Sequence, residues 1–167
     1  MFKKAKWKKA CKKAKTESQK LFKELDDLWR KAVKIVYGST DSEYYQCEKC
    51  GKWFKSGKGI GTGKGINAHH IIGKSNYNVR WEIEDGTPLC SGCHTMRKDS
   101  AHQDRTVFLN WIINKRGQEW FGELMKKAGR EGGSKKWTIA EMTKKKEELE
   151  ELVEEFKKET NENNNNL

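Results

Sequence analysis

The sequence predicts an α+β fold, mostly helical, with a short Cys/His-rich core flanked by an N-terminal helix and by C-terminal helices. Three observations predict it. Apolar residues recur at helical spacing on both sides of a middle segment that lacks this period. That segment and its margin hold four of the five cysteines and all four histidines. Only 34% of the 167 residues are hydrophobic and mean hydropathy is −1.02, below the roughly 45–50% apolar content of an ordinary globular domain. A large self-sufficient core is therefore not expected, and something else must staple a single domain of this length.

The elements follow in order. Residues 1–17 read as a basic arm, with eight lysines (3, 4, 6, 8, 9, 12, 13 and 15) and no acid before Glu17. From Ser18, Leu21, Leu25, Leu28, Trp29, Ala32, Ile35 and Val36 mark one face of an amphipathic helix over 18–38, which Gly38 can end. Residues 39–129 form the chemistry-bearing core and the helices after it. Within it Lys52–Phe54 and Ile66–Ile72 read as strands around a flexible turn region, SGKGIGTGKGI. Val107, Phe108, Trp111 and Ile112, then Trp120, Phe121, Leu124 and Met125, place one or two helices over about 95–129. After a break at GREGGSKK, residues 130–160 carry an acidic helix announced by the capping box Thr138/Glu141. It packs on its own domain or on a protein partner. The tail, 161–167, is low in complexity and reads as disordered.

Thirty-five Lys and Arg against 24 Asp and Glu give a net charge of +11, which favours a polyanionic partner, nucleic acid first. No apolar run approaches the roughly 18 residues of a membrane span, and MFKKAKWKKACKKAK has no apolar stretch to act as a signal peptide. The chain reads as a soluble protein of the cytoplasm, with no membrane and no small organic cofactor among its partners.

In a reducing compartment, cysteines bind metal or stay free more often than they pair. Cys47-x2-Cys50 and Cys90-x2-Cys93, separated by 39 residues, supply four thiolates, the tetrahedral ligand set of structural Zn2+. Zinc-coupled folding would give the stabilisation that a thin core lacks. Cys11 stays outside this framework as a free thiol. Cys90-Ser-Gly-Cys93-His94 also matches a c-type haem attachment motif, but that reading leaves Cys47 and Cys50 without a role.

His69, His70, His94 and His102 lie within 34 consecutive residues. Adjacent residues of a strand point to opposite faces, so His69 and His70 do not readily ligate one ion, and a division of labour follows. His94 directly follows the last cysteine and shares its rigidity. His102 would be rotated by about 80 degrees from His94 on a continuous helix, and is read as a third ligand or a phosphate contact. Lys74, Arg80, Arg97 and Lys98 surround the motif in sequence and are read as phosphate contacts.

CEKC at 47–50, AHHIIGKS at 68–75, NVRWEIEDGTPLC at 78–90 and CSGCH at 90–94 together resemble the HNH endonuclease superfamily. The likeness is to its small zinc-containing members, common in phages and mobile elements, and it spans about residues 44–113. It implies a zinc-stapled ββα-metal core in which His69 and His94 hold a catalytic divalent cation and His70 is the general base. The middle asparagine of the family pattern falls at Asp85, a departure that keeps the hydrogen-bond acceptor and loses the amide donor. Asn78 takes that position only if the loop register differs. The implied activity is hydrolysis of DNA phosphodiester bonds, by nicking or double-strand cleavage, with Mg2+, Mn2+, Ni2+ or Zn2+ at the catalytic site. The alternative is a non-catalytic zinc-knuckle protein that binds nucleic acid or serves in assembly; it accounts for the cysteines and the charge but not for His69-His70.

Overall fold

The computed structural model describes residues 16–38, 44–55, 65–129 and 135–165, with side chains to 158. The lysine-rich segment at 3–15, Cys11, most of the glycine-rich turn and the last two residues lie outside the described residues.

Helix α1 (Glu17–Gly38) begins one residue earlier than its apolar stripe suggests, because Thr16 and Gln19 form a reciprocal cap. The Gln19 N–H donates to Thr16 Oγ1 at 3.3 Å and the Thr16 N–H to Gln19 Oε1 at 3.2 Å. The stripe buries Leu25, Trp29, Ala32, Val33 and Ile35. A hairpin follows, β1 (Tyr44–Gln46) against β2 (Trp53–Lys55), with Cys47 to Cys50 in its turn. There the Cys47 N–H donates to Lys52 O and the Gly51 N–H to Cys47 O, both at 2.8 Å.

The second ribbon pairs β3 (Ile66–His70) with β4 (Gly86–Cys90), antiparallel, with His69 opposite Thr87 and His70 opposite Gly86. The expected strand to Ile72 stops at His70 for a physical reason. Beyond it the Ile71 N–H turns to Asp85 O at 2.8 Å and the Ile72 N–H to the Asp85 carboxylate at 2.6 Å. Sequence reasoning gave no β4: all five of its residues are buried, and it carries Pro88, so it shows neither alternation nor an ordinary strand composition.

A π turn at Gly92–Met96 leads into irregular backbone, then α2 (Arg105–Arg116) and α3 (Gln118–Ala128), separated by Gly117. The helical span expected from 95 therefore starts at 105, where the Asp104 side chain caps Val107 N at 2.9 Å. Helix α4 (Ile139–Asn165) opens on the predicted box, Glu141 N donating to Thr138 Oγ1 at 3.2 Å, and runs past Lys158, so residues 161–165, expected to be disordered, continue the helix beyond its apolar stripe. Its buried residues Met142, Leu149 and Val153 meet Leu25, Trp29, Ala32 and Val33 of α1. Lys145 and Lys146 add ion pairs to Glu82 and Glu24, at 2.9 and 3.1 Å. Within the described residues that apolar stripe is thus spent on the chain's own core. No described helix is long and apolar enough to cross a membrane.

The core is two clusters rather than one body. The first joins Cys47, Cys90 and Cys93 to Ile71, Val79, Leu89, Phe108, Ile112 and Leu124. The second joins α1 and α4 around Trp29 and Trp81. The β3–β4 ribbon lies between them, and strand alternation assigns its faces. His70 and its partner Gly86 turn toward α1, while His69 turns toward Phe108 of α2.

Gly86 sets how closely α1 approaches the ribbon. A Cβ there would lie 2.2 Å from Cγ2 and 2.8 Å from Cγ1 of Val33, a β-branched side chain with little freedom to move aside. Gly86→Ala should therefore destabilise the protein by about 1–3 kcal/mol through overpacking. Urea unfolding followed by circular dichroism checks this, and an unchanged midpoint would show that α1 shifts freely.

Candidate metal centres and active site

The hairpin turn and the end of β4 bring Cys47, Cys50, Cys90 and Cys93 together, their sulfurs all within 4.8 Å of one another and Cys50 Sγ 3.8 Å from Cys90 Sγ. Four sulfurs at Zn–S distances of 2.3 Å on a tetrahedron stand about 3.8 Å apart. The donor set and its spacing therefore fit zinc. Electrostatics agree. Burial, then the neighbouring Cys47 and Cys90, push the Cys93 thiol far above its ordinary range, a conflict that a dication removes. Cys50 is lowered: burial opposes this, but hydrogen bonds from the Lys52 backbone and the other cysteines prevail.

Two braces fix this framework. Glu48, inside the first knuckle, is almost fully buried against Arg116 of α2 (2.6 Å) and accepts from Thr87 Oγ1 at 2.8 Å. Lys49 reaches the Asp99 carboxylate at 2.7 Å, joining the two knuckle regions.

His69, His94 and His102 form a second cluster, one ring nitrogen from each lying within 4.8 Å of the others. The Nε2 atoms of His94 and His102 are 3.2 Å apart, close to the roughly 3.0–3.4 Å that two imidazoles on one ion at 2.0–2.1 Å would show. A rotation of about 80 degrees between His94 and His102 holds only on a continuous helix, and the chain is not one there. After the π turn it folds back, the Ala101 N–H donating to Cys93 O at 3.0 Å and the His102 N–H to His94 O at 3.1 Å, so His102 returns beside His94. Burial, then His94 and His102, lower the His69 pKa to about 3. Burial and His102 lower that of His94 to about 4. Both imidazoles are thus neutral near pH 7, the form that ligates.

His70 occupies the other face of β3. Its Nδ1 is 3.1 Å from Asp85 Oδ2, and Asp85 is fully buried, its second oxygen taken by the Ile72 N–H. Burial raises the Asp85 pKa against the lowering effect of the His70 and Ile72 hydrogen bonds. The His70 ring also stacks on Trp29, centroids 3.8 Å apart and planes within 6°. With Nδ1 engaged, Nε2 is the nitrogen left for chemistry. Asn78 is not near: its amide donates to Ala128 O at 2.9 Å.

All four histidines line one open cavity of about 450 Å3, with Trp29, Asp26 and Arg30 from α1, and Lys74 and Arg105 on its rim. Of the expected phosphate contacts, Lys74 alone is there, largely exposed and 3.9 Å from Asp26. Arg80 requires a correction. It is 5% exposed, its guanidinium forks onto Asp26 at 2.8 and 3.0 Å and reaches Lys74 O at 2.6 Å, so it has no donor face to offer a phosphate. Burial would raise the Asp26 pKa, but the bonds from Arg80 and Trp81 hold it below the usual carboxylate range. Arg97 and Lys98 are exposed beside the second knuckle, outside the cavity wall, and Arg97 leans on Cys93 Sγ at 3.8 Å. Sequence reasoning missed Arg105, which opens α2, and Trp29, which reads as one more residue of a core stripe.

A family model described as HNH endonuclease matches residues 47–100, both cysteine pairs and His69, His70 and His94 among them. Residues 47–100 resemble an HNH endonuclease domain. That match covers about a third of the sequence and supports nuclease function at the level of the family. No curated protein and no solved structure matches the chain. Within the HNH stretch lie the four thiols and three of the histidines, whereas His102, Arg105 and Trp29 come from outside it.

Proposed function

We propose that the protein is a metal-dependent endonuclease that hydrolyses DNA phosphodiester bonds, with His70 as general base. The observation that carries this reading is the placement of a three-histidine cluster and an oriented fourth histidine on the wall of one cavity.

Hydrolysis needs a water that loses its proton as it attacks, and charge stabilisation on the phosphate as it does so. Asp85 fixes the proton on His70 Nδ1, which leaves the Nε2 lone pair to take the water's proton. That ring lies stacked on Trp29. His69, His94 and His102 would hold a divalent cation, which would supply Lewis-acid stabilisation of the developing phosphate charge. Lys74 and Arg105 line the cavity and would contact the flanking phosphates. The lysines of residues 3–15 add affinity without sequence preference by releasing condensed counterions. An all-imidazole set is softer than the oxygen ligands magnesium prefers, which favours manganese, nickel or zinc.

Nicking of supercoiled plasmid tests the reading. Protein stripped of its loosely held metal should be inactive and should recover with manganese or nickel at lower concentration than with magnesium. DNA binding without nicking under every cation would return the chain to the zinc-knuckle binding module.

A further inference from the structure

We propose that Trp29 of α1, outside the HNH stretch, is a positioning residue for the reaction: its indole is the slab that holds the His70 imidazole edge-on to the cavity. The proposal rests on the assignment of His70 as base and deepens it.

A single hydrogen bond leaves an imidazole free to swing about the axis of that bond. Asp85 gives His70 one such bond, at 3.1 Å. The second restraint is planar: Trp29 lies parallel to the ring, 6° off and 3.8 Å away. Bond and plane together define the direction of Nε2. The slab is itself held, since Trp29 is 1% exposed and its Nε1–H donates to Glu82 O at 2.8 Å. Glu82 belongs to the same 71–85 connection that presents Asp85, so indole and carboxylate are referred to one piece of backbone. Helix α1 in turn is seated on β4 by the missing side chain at Gly86, one turn from Trp29 at Val33. A displacement of about 1 Å at a reacting group costs on the order of 100-fold in rate, so the slab belongs to the chemistry rather than only to the core.

The test compares full-length wild type with Trp29→Leu and Trp29→Phe, each also in a His70→Ala background. Trp29→Leu should lower the kcat for nicking at least tenfold while KM and zinc content stay within twofold, and Trp29→Phe should restore it to within about threefold of wild type. In the His70→Ala background Trp29→Leu should cost nothing further. An equal loss in both backgrounds, or no loss in folded Trp29→Leu, would overturn the proposal.

A measurement without activity accompanies it. In wild-type NMR spectra the His70 ring protons should be displaced upfield by the indole ring current, and the displacement should shrink in Trp29→Phe. Ring protons at ordinary positions overturn the stack even if Trp29→Leu fails to fold. Full activity in His70→Ala would instead sink the base assignment and leave the stack to be judged by the spectra.

Discussion

Replacing Cys90 and Cys93 together by serine should abolish cooperative melting and the bound zinc. Apparent binding energies of structural zinc are about 10–16 kcal/mol, and whole domains are stable by about 5–15 kcal/mol, so an ion held by the four thiols would match or exceed the stability of the domain it supports. The first core cluster is built on these cysteines themselves, with Cys47, Cys90 and Cys93 buried among Ile71, Leu89, Phe108 and Leu124. Removing the ion leaves its thiols crowded and polar hydroxyls in an apolar setting. The second cluster contains none of the four cysteines, so part of the α1–α4 helix signal should survive while the ribbon and α2 lose order. Elemental analysis should fall by the four-thiol ion, and the circular dichroism melt should become shallow and early. A variant that melts like wild type without that zinc would show that the clusters stand by themselves.

The parts of this design readable in the sequence are those with a short period or a fixed spacing. The α1 stripe, the α4 capping box and the paired cysteines each depend on contacts within a few residues, and the structure forms all three. The divergence of His69 and His70 follows from the two-residue period of a strand, and it sends them to α2 and α1 respectively. What was hidden depends on return of the chain. His102 reaches His94 through a turn that no period announces. Arg80 has the composition and neighbourhood of a phosphate contact, yet its partner Asp26 lies 54 residues away on α1. Trp29 shows the same limit: helical spacing identifies a buried face but not which ring rests upon it.

His70→Ala should lower nicking by about 10²–10⁴-fold, the usual contribution of a positioned general base, with both metal sites still filled. The side chain is largely buried but ligates in neither cluster, its Nδ1 being turned to Asp85. On the proposed assignment its loss removes the proton acceptor and leaves the four-cysteine and three-histidine clusters intact. The fold should survive at a cost of a few kcal/mol, because the vacated space faces the open cavity beside Trp29. Asp85 then separates base strength from base orientation. Asp85→Asn keeps one acceptor oxygen, which serves either the Ile72 N–H or His70 Nδ1–H and sets the amide NH2 against the other, so its activity should fall between wild type and Asp85→Ala. The alanine leaves the Ile72 N–H, now bonded at 2.6 Å, without its partner and frees the ring to choose either tautomer. Plasmid nicking under single-turnover conditions, with metal content measured on the same samples, reads both comparisons. Undiminished cleavage by metal-replete His70→Ala would move the proton acceptor elsewhere on the cavity wall, and Asp85 would then be only a brace for the turn after β3.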